Sequence, residues 1–234
     1  MASGIDQSFR TNPAPGVAEL HSCTILPPPT EAPSLEFQLP DRYLRTRRVV
    51  DVSIILLLSP LVLVICLVVA VLIHLDSQGP VLFRQARPGK NGEIFLMLKF
   101  RTMRLSSDSS CRLTATSDAR LTRVGAFLRR HRLDELPQLW NVLRGQMSLI
   151  GPRPEPVFLS RHLEECIPLY SYRRVVLPGI TGLAQVELGY TEGIEDCRAK
   201  VKYDLYYISH LSVRLDVEIL LGTFRTIVTG RGAR

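Results

Sequence analysis

No CxxC pair occurs anywhere in the 234-residue sequence, and its five cysteines (Cys23, Cys66, Cys111, Cys166 and Cys197) are odd in number and widely scattered. That pattern gives neither a disulfide framework nor a paired-cysteine zinc site, and it fits a reducing, cytosolic setting. The five histidines show no HxxxH or HExxH spacing, so each reads as a surface or packing residue rather than a metal ligand. There is no GxxxxGK[ST] and no GxGxxG, which removes P-loop and Rossmann chemistry, and no internal repeat. Helix-turn-helix, zinc-finger and RNP-like patterns are also missing, so no nucleic-acid partner is expected despite a formal net charge of +7.

The positive charge is concentrated. Between Arg84 and Arg132 twelve Lys or Arg stand against three acids, Glu93, Asp108 and Asp118, which calls for an anionic partner such as lipid headgroups or a nucleotide diphosphate. Upstream, residues 1–40 carry seven prolines and little periodicity and read as a disordered arm. No apolar run follows the start and the first few positions hold no basic residue, so a signal peptide is not expected.

Residues 41–76 form a basic flank (Arg42, Arg45, Arg47, Arg48) followed by the apolar run Val52 to Leu75, which is long enough to cross a bilayer. Two features favour a different course. Pro60, in the Ser59-Pro60 pair near the middle, lacks a backbone donor and kinks helices. Basic residues also lie on both sides, with Arg84, Arg87 and Lys90 after the run, so neither end carries the signature of an outside end. A re-entrant helical hairpin bending at Ser59-Pro60 satisfies both, and a kinked spanning helix is the alternative.

Residues 77–229 are expected to form one compact cytosolic domain, with 230–234 as a tail. Gly79 to Met103 reads as a β-hairpin around Pro88, Gly89, Asn91 and Gly92, its second arm ending in Lys99 and Arg101. Residues 105–117 read as a polar surface loop. Helices are expected over Leu121 to Leu133, Phe158 to Ile167, Asp196 to Ser209 and Leu215 to Thr229, with LPGITGLAQV (Leu177 to Val186) as a glycine-rich loop that serves either a ligand or an ordinary turn. The apolar stripe Leu215, Ile219, Leu220, Phe224, Ile227 and Val228 is assigned to the core, with the membrane interface as the alternative. The fold class is therefore α+β, mainly helical and membrane-associated: one re-entrant hairpin plus a compact domain with a small β-hairpin.

The densest chemistry lies in Arg129 to Pro156, RRHRLDELPQLWNVLRGQMSLIGPRPEP. Asp134 and Glu135 sit between Arg129, Arg130 and Arg132 on one side and a proline-braced loop bearing Arg153 on the other. Asp134 fits a helix N-cap, Leu136, Leu139, Trp140 and Leu143 an apolar face, and Gly145 the C-terminal stop. An acid pair at a helix start is most often capping. The surrounding cations open a second reading, in which a metal and a phosphorylated substrate meet there.

GPVLFRQARPGKNGEIF, KFRTM, LTRVGAFLRRHRLDELPQLWNVLRG, MSLIGPRPE and PGITGLAQV, preceded by an apolar segment with Ser-Pro, together resemble the bacterial sugar transferases. These are the monotopic polyprenyl-phosphate glycosyl-1-phosphate transferases. The likeness covers about Arg42 to Thr229 and is to the small, single-hairpin members; Gln146 departs from the acid common after NVLRG. The resemblance implies a UDP-sugar donor, undecaprenyl phosphate as acceptor, Mg²⁺ as cofactor, and an exopolysaccharide-type destination at the cytoplasmic face of the bacterial inner membrane. It also implies Asp134 as nucleophile and Glu135 as its dyad partner. Asp134 and Glu135 would hold the metal, and Arg153, Arg129 and Lys99 the substrate phosphates. A scaffold that has lost catalysis is the alternative.

Overall fold

The computed structural model describes residues 39–104, 120–189 and 193–229, with side chains through 227. The proline-rich arm up to residue 38, the polar segment 105–117, the tail and the Val228 side chain lie outside them.

The first element, α1 (Asp41–Asp76), is a single 36-residue helix long and apolar enough to cross a membrane. Contrary to a pair of helices joined at a turn, it stays helical through Pro60. The local reason lies in the preceding serine. Pro60 cannot donate to the Leu56 carbonyl, and the Ser59 hydroxyl donates to that same carbonyl at 2.8 Å, so the orphaned acceptor is satisfied without water. Leu57, Leu61, Leu63, Val64 and Leu67 around this point are exposed.

Both flanks of α1 dock on the same domain. Ile55 packs with Phe95, Met97, Val142 and Met147, while Val69 and Ile73 pack with Phe100 and Leu128. Two of the four flanking arginines are consumed by protein: Arg47 donates to Tyr207 Oη and Ser148 Oγ, each at 2.7 Å, and Arg48 to the carbonyls of Val142 and Leu143. Asp51 accepts from Ser148 Oγ at 2.6 Å and from the Leu149 amide at 3.3 Å.

The expected hairpin is present as β1 (Leu82–Pro88) antiparallel to β2 (Ile94–Phe100), with Leu82 opposite Phe100 and Pro88 opposite Ile94. Next comes α2 (Arg123–Arg130), shorter than its apolar spacing implied, capped by Thr122 Oγ1 accepting from the Gly125 amide at 2.9 Å. Leu128 is fully buried but Phe127 faces outward. After α3 (Gln138–Leu143) the chain stops as predicted. Gly145 takes φ +78°, its amide reaches Val142 O, and the Gln146 amide reaches Asn141 O, the paired closure of a Schellman end. Trp140 does not join the apolar face. It is 51% exposed with the Arg144 guanidinium 5.3 Å from its ring, and Val142 fills the core instead.

Strand β3 (Ser148–Ile150) and helix α4 (Val157–Cys166) lead to LPGITGLAQV, which is not a loop. It forms β4 (Gly179–Thr181), parallel to β3, and the start of α5 (Leu183–Leu188). Its glycines serve backbone contact within the protein: a Cβ on Gly179 would lie 2.1 Å from Gly151 N, and one on Gly182 2.3 Å from Gly151 O. Helices α6 (Ile194–Ser209) and α7 (Val213–Thr229) complete the main core, where Leu163, Tyr170, Leu183, Leu205, Tyr207 and Ile219 meet. Two of the five described residues of the α7 stripe are core. Leu215 and Ile219 are buried, whereas Leu220, Phe224 and Ile227 are exposed, which leaves an apolar outer face that the core assignment does not account for. The architecture is the expected mainly helical α+β fold with a small hairpin.

Candidate active site

Asp134 and Glu135 arrive on a 3₁₀ turn, Leu133–Glu135, entered through Arg132 in the left-handed region at φ +56°. Asp134 is therefore not the expected N-cap. The turn has no side-chain cap, and α3 begins only after Pro137, also uncapped by a side chain. With capping removed, its position needs another account: the Asp134 side chain has no hydrogen-bond partner among the described residues and the residue is only 7% exposed.

Three elements deliver cations to this turn. Arg153, on the loop after β3, meets Glu135 as a fork: Nη1 donates to Oε2 at 3.1 Å and Nη2 to Oε1, while Nη1 also reaches Ile180 O at 3.0 Å. Lys99, near the end of β2, stands 3.5 Å from Glu135 Oε1, and Arg132 Nη1 4.0 Å from the same oxygen. Arg129, on the last turn of α2, donates through Nε to Thr102 Oγ1 at 3.0 Å, and its charge acts on Asp134. The structure thus brings together all five residues singled out from sequence, with Arg153 and Lys99 already engaged with Glu135.

The two carboxylates are driven apart in acidity. Burial raises the Asp134 carboxyl above its ordinary value, Lys99 opposes it, and the neighbouring Glu135 charge reinforces it. Burial would raise Glu135 too, but Arg153 and Lys99 overcome it and hold this carboxyl well below the usual range. Burial pushes the Lys99 ammonium down, against the pull of Glu135. One acid is locked as a paired anion, while its neighbour is largely buried and has no hydrogen-bond partner among the described residues.

The donor set fits Mg²⁺. That ion binds through one or two carboxylates plus substrate phosphates rather than in an all-protein cage, so the lack of a cluster of three or more His, Cys, Asp or Glu among the described residues is no obstacle. Glu135 Oε1 is shared by Arg153, Lys99 and Arg132, which leaves Oε2, with one hydrogen bond, as the oxygen with capacity to spare.

A supporting layer was not read from sequence. Arg173 donates through Nε to Asp204 at 2.7 Å and through Nη2 to the Arg153 carbonyl at 2.9 Å, both side chains being almost wholly buried. Arg87 donates to the Pro154 carbonyl, and Glu155 pairs with Lys200 and, at 3.9 Å, with Arg87. Asp204 carried a usable signal, a lone acid among Val201, Leu205 and Ile208 on the buried face of α6. Gln146 also finds its role. Its Oε1 accepts from Asn141 Nδ2 at 2.8 Å, and Asn141 clips the β2 edge at Leu96 O and Leu98 N. An acid there could accept the same hydrogen bond, so the departure costs no contact.

Residues 42–230 match the family model described as bacterial sugar transferase. The UDP-N-acetylgalactosamine-undecaprenyl-phosphate N-acetylgalactosaminephosphotransferase of Aeromonas hydrophila is 46% identical over 193 residues, covering 82% of this chain and 46% of that protein. The exopolysaccharide production protein PSS of Rhizobium leguminosarum bv. phaseoli is 43% identical over 190 residues, 78% of this chain and 93% of that one. A UDP-glucose:undecaprenyl-phosphate glucose-1-phosphate transferase of Caulobacter vibrioides is 44% identical over 186 residues, 78% and 70%. The chain thus spans less than half the length of the Aeromonas relative but nearly all of the Rhizobium one. An acid pair ringed by cations on a scaffold with one helix long and apolar enough to cross a membrane, and a family match running from the start of α1 to the end of α7, lead to one assignment: this chain belongs to the bacterial sugar transferase family.

Proposed function

We propose that this protein transfers a sugar 1-phosphate from a UDP-sugar to undecaprenyl phosphate at the cytoplasmic face of the bacterial inner membrane, initiating a surface glycan of the exopolysaccharide type. The observation that carries this reading is the buried Asp134 carboxylate, without a hydrogen-bond partner among the described residues, beside a Glu135 held ionised by Arg153 and Lys99. Relatives whose names specify undecaprenyl-phosphate sugar phosphotransferases support the substrate classes.

In the first step an Asp134 oxygen attacks the sugar-bearing phosphorus. The bond from that phosphorus to the bridging oxygen breaks, UMP leaves with the electron pair, and an aspartyl phosphosugar remains. In the second, a phosphate oxygen of undecaprenyl phosphate attacks the same phosphorus, the bond to Asp134 breaks, and the carboxylate is regenerated with the polyprenyl diphosphosugar as product. Charge is conserved in both steps. Asp134 suits the task because no hydrogen bond to another described residue has to be broken before attack. Arg153, Arg129 and Lys99 neutralise the phosphate charge in a site from which water is largely excluded. Mg²⁺, held by Glu135 Oε2 and by Asp134 before it reacts, would supply further neutralisation of the diphosphate.

The membrane element supports the setting. Ile55 and Val69, separated by about 21 Å of helix against a hydrocarbon core of roughly 30 Å, both pack on the one domain, which supports an α1 that does not cross the core between these two points.

The test is intact-protein and peptide mass spectrometry after incubation with UDP-sugar and Mg²⁺ but no acceptor. One sugar phosphate should appear on the peptide carrying Asp134 and be discharged by undecaprenyl phosphate, and Asp134→Asn should abolish both adduct and UMP release. Full turnover by Asp134→Asn would overturn the covalent mechanism, and no transfer by the wild type with any UDP-sugar would favour the scaffold.

A further inference from the structure

A cavity of about 160 Å³ opens directly beside the catalytic turn, between α3, β4, α5 and α7. Glu135 and Arg132 form its inner end. Leu136, Leu139, Ile180, Val186 and Ile227 supply an apolar wall. We propose that this cavity receives the first isoprenoid units of the acceptor lipid, seating its phosphate at Arg132 next to the reacting Asp134; the inference rests on the transferase reading above.

Three observations select this occupant over the nucleotide or the sugar. The volume is below the roughly 300–1,000 Å³ of pockets that enclose a drug-sized ligand, so it takes one moiety and not a nucleotide sugar. Its polar wall residues are turned on the protein. Thr181 and Thr223 hydroxyls bond each other at 2.7 Å, Thr223 also donates to Ile219 O and Thr226 to Gly222 O, while Gln185 Nε2 reaches Ile180 O and its Oε1, which accepts no hydrogen bond from the described residues, is buried with almost no surface to offer a ligand. A uracil or a sugar would bury several polar groups here against hydroxyl donors already engaged, at a desolvation cost that a hydrocarbon does not incur. Finally, Ile227 belongs at once to the cavity wall and to the exposed apolar face of α7, which continues through Phe224, Leu220 and Leu221. A prenyl chain can therefore leave the cavity over hydrocarbon-like surface, whereas a nucleotide would have no use for that exit.

The geometry assigns a discriminating role to Ile227, a rim position 43% exposed where a larger side chain plugs the exit without disturbing the core. Ile227→Trp should raise KM for undecaprenyl phosphate at least tenfold and leave KM for the UDP-sugar within twofold. With adduct preformed, its discharge should slow by the same factor while its formation does not change. A diazirine-bearing isoprenyl phosphate should label wild-type peptides carrying Leu139 or Ile227, a readout independent of any variant's folding. A raised donor KM with normal acceptor kinetics would give the cavity to the nucleotide sugar, and unchanged kinetics with labelling elsewhere would empty the proposal. Transfer without an adduct would remove the covalent step while leaving the acceptor-KM comparison decisive. Wild-type protein that transfers nothing would sink the transferase reading itself, and this proposal with it.

Discussion

Arg173 touches neither carboxylate of the dyad, yet replacing it should disable the reaction through Arg153. Its side chain is 4% exposed and that of its partner Asp204 2%, so truncating either strands a buried charge at about 3–5 kcal/mol and blurs function with folding. Arg173→Lys is the cleaner perturbation. One ammonium keeps Asp204 paired but cannot also span to the Arg153 carbonyl as the guanidinium fork does at 2.7 and 2.9 Å. The lost charge-assisted hydrogen bond is worth about 1.5–3 kcal/mol. A displacement of about 1 Å in a positioning group can cost on the order of 100-fold in rate. The measurement is initial-rate UMP release by four proteins, wild type, Arg173→Lys, Arg153→Ala and the double variant, with thermal midpoints recorded alongside. Arg173→Lys should lower kcat by about 10–100-fold when Arg153 is present but by no more than about twofold when it is absent, because residues acting along one path do not add. Equal losses in both backgrounds would refute the positioning role and return Arg173 to general stability.

Topology is checked by single-cysteine labelling near Arg42 and Gln78 in intact cells, where both sites should stay protected from an impermeant external reagent. Pro60→Ala, which restores the backbone donor to Leu56 O and relaxes the clash, should favour a straighter helix and expose the Gln78 site. Gly179→Ala should destabilise the fold by about 1–3 kcal/mol through overpacking and lower activity with it, because the added carbon lies 2.1 Å from Gly151 N on the strand-to-loop path that carries Arg153; an unchanged denaturation midpoint would contradict this. Acid sensitivity has a defined sign at Glu155, where burial raises the carboxyl but Lys200 and Arg173 prevail and hold it at about 2 against an ordinary 4.5. A depressed folded-state value stabilises above the ordinary one, so the thermal midpoint in detergent should fall as pH drops from about 4.5 towards about 2, and Glu155→Gln should flatten that part of the curve.

Periodicity and turn chemistry revealed the local elements: the β1–β2 hairpin, the four longer helices after it, and the Gly145 stop. The acid pair was legible because Asp134 and Glu135 are adjacent in the chain, and Arg129, Lys99 and Arg153 because basic runs and a proline-braced loop surround them. What escaped is what needs distant partners. Gly179 and Gly182 read as loop residues because the strand they face, with Gly151 at its end, lies about thirty positions earlier. Arg47 and Arg48 read as a basic flank that marks an inside end, since nothing local distinguishes a guanidinium left at a membrane boundary from one that will meet Ser148 and Tyr207. The re-entrant reading thus loses two of the charges it was argued from and the break expected at Ser59-Pro60, while Ile55 and Val69 docking on one domain supports a segment held at one face. Trp140 misled because apolar spacing identifies a face without saying whether protein or another medium covers it.

The docking of α1 also sets an order of events during synthesis. The helix leaves the ribosome first, while Tyr207 and Asp216, which bind Arg47 and Tyr43, follow 160 and 173 residues later. At about 5–20 residues per second, Arg47 waits roughly ten to thirty seconds before the last of these partners exists. During that interval an arginine and the nearby Asp51 stand at the mouth of an apolar helix with no domain to receive them. This anchor is therefore a late-closing clasp, its polar contacts completed only after nearly all of the described residues have been made.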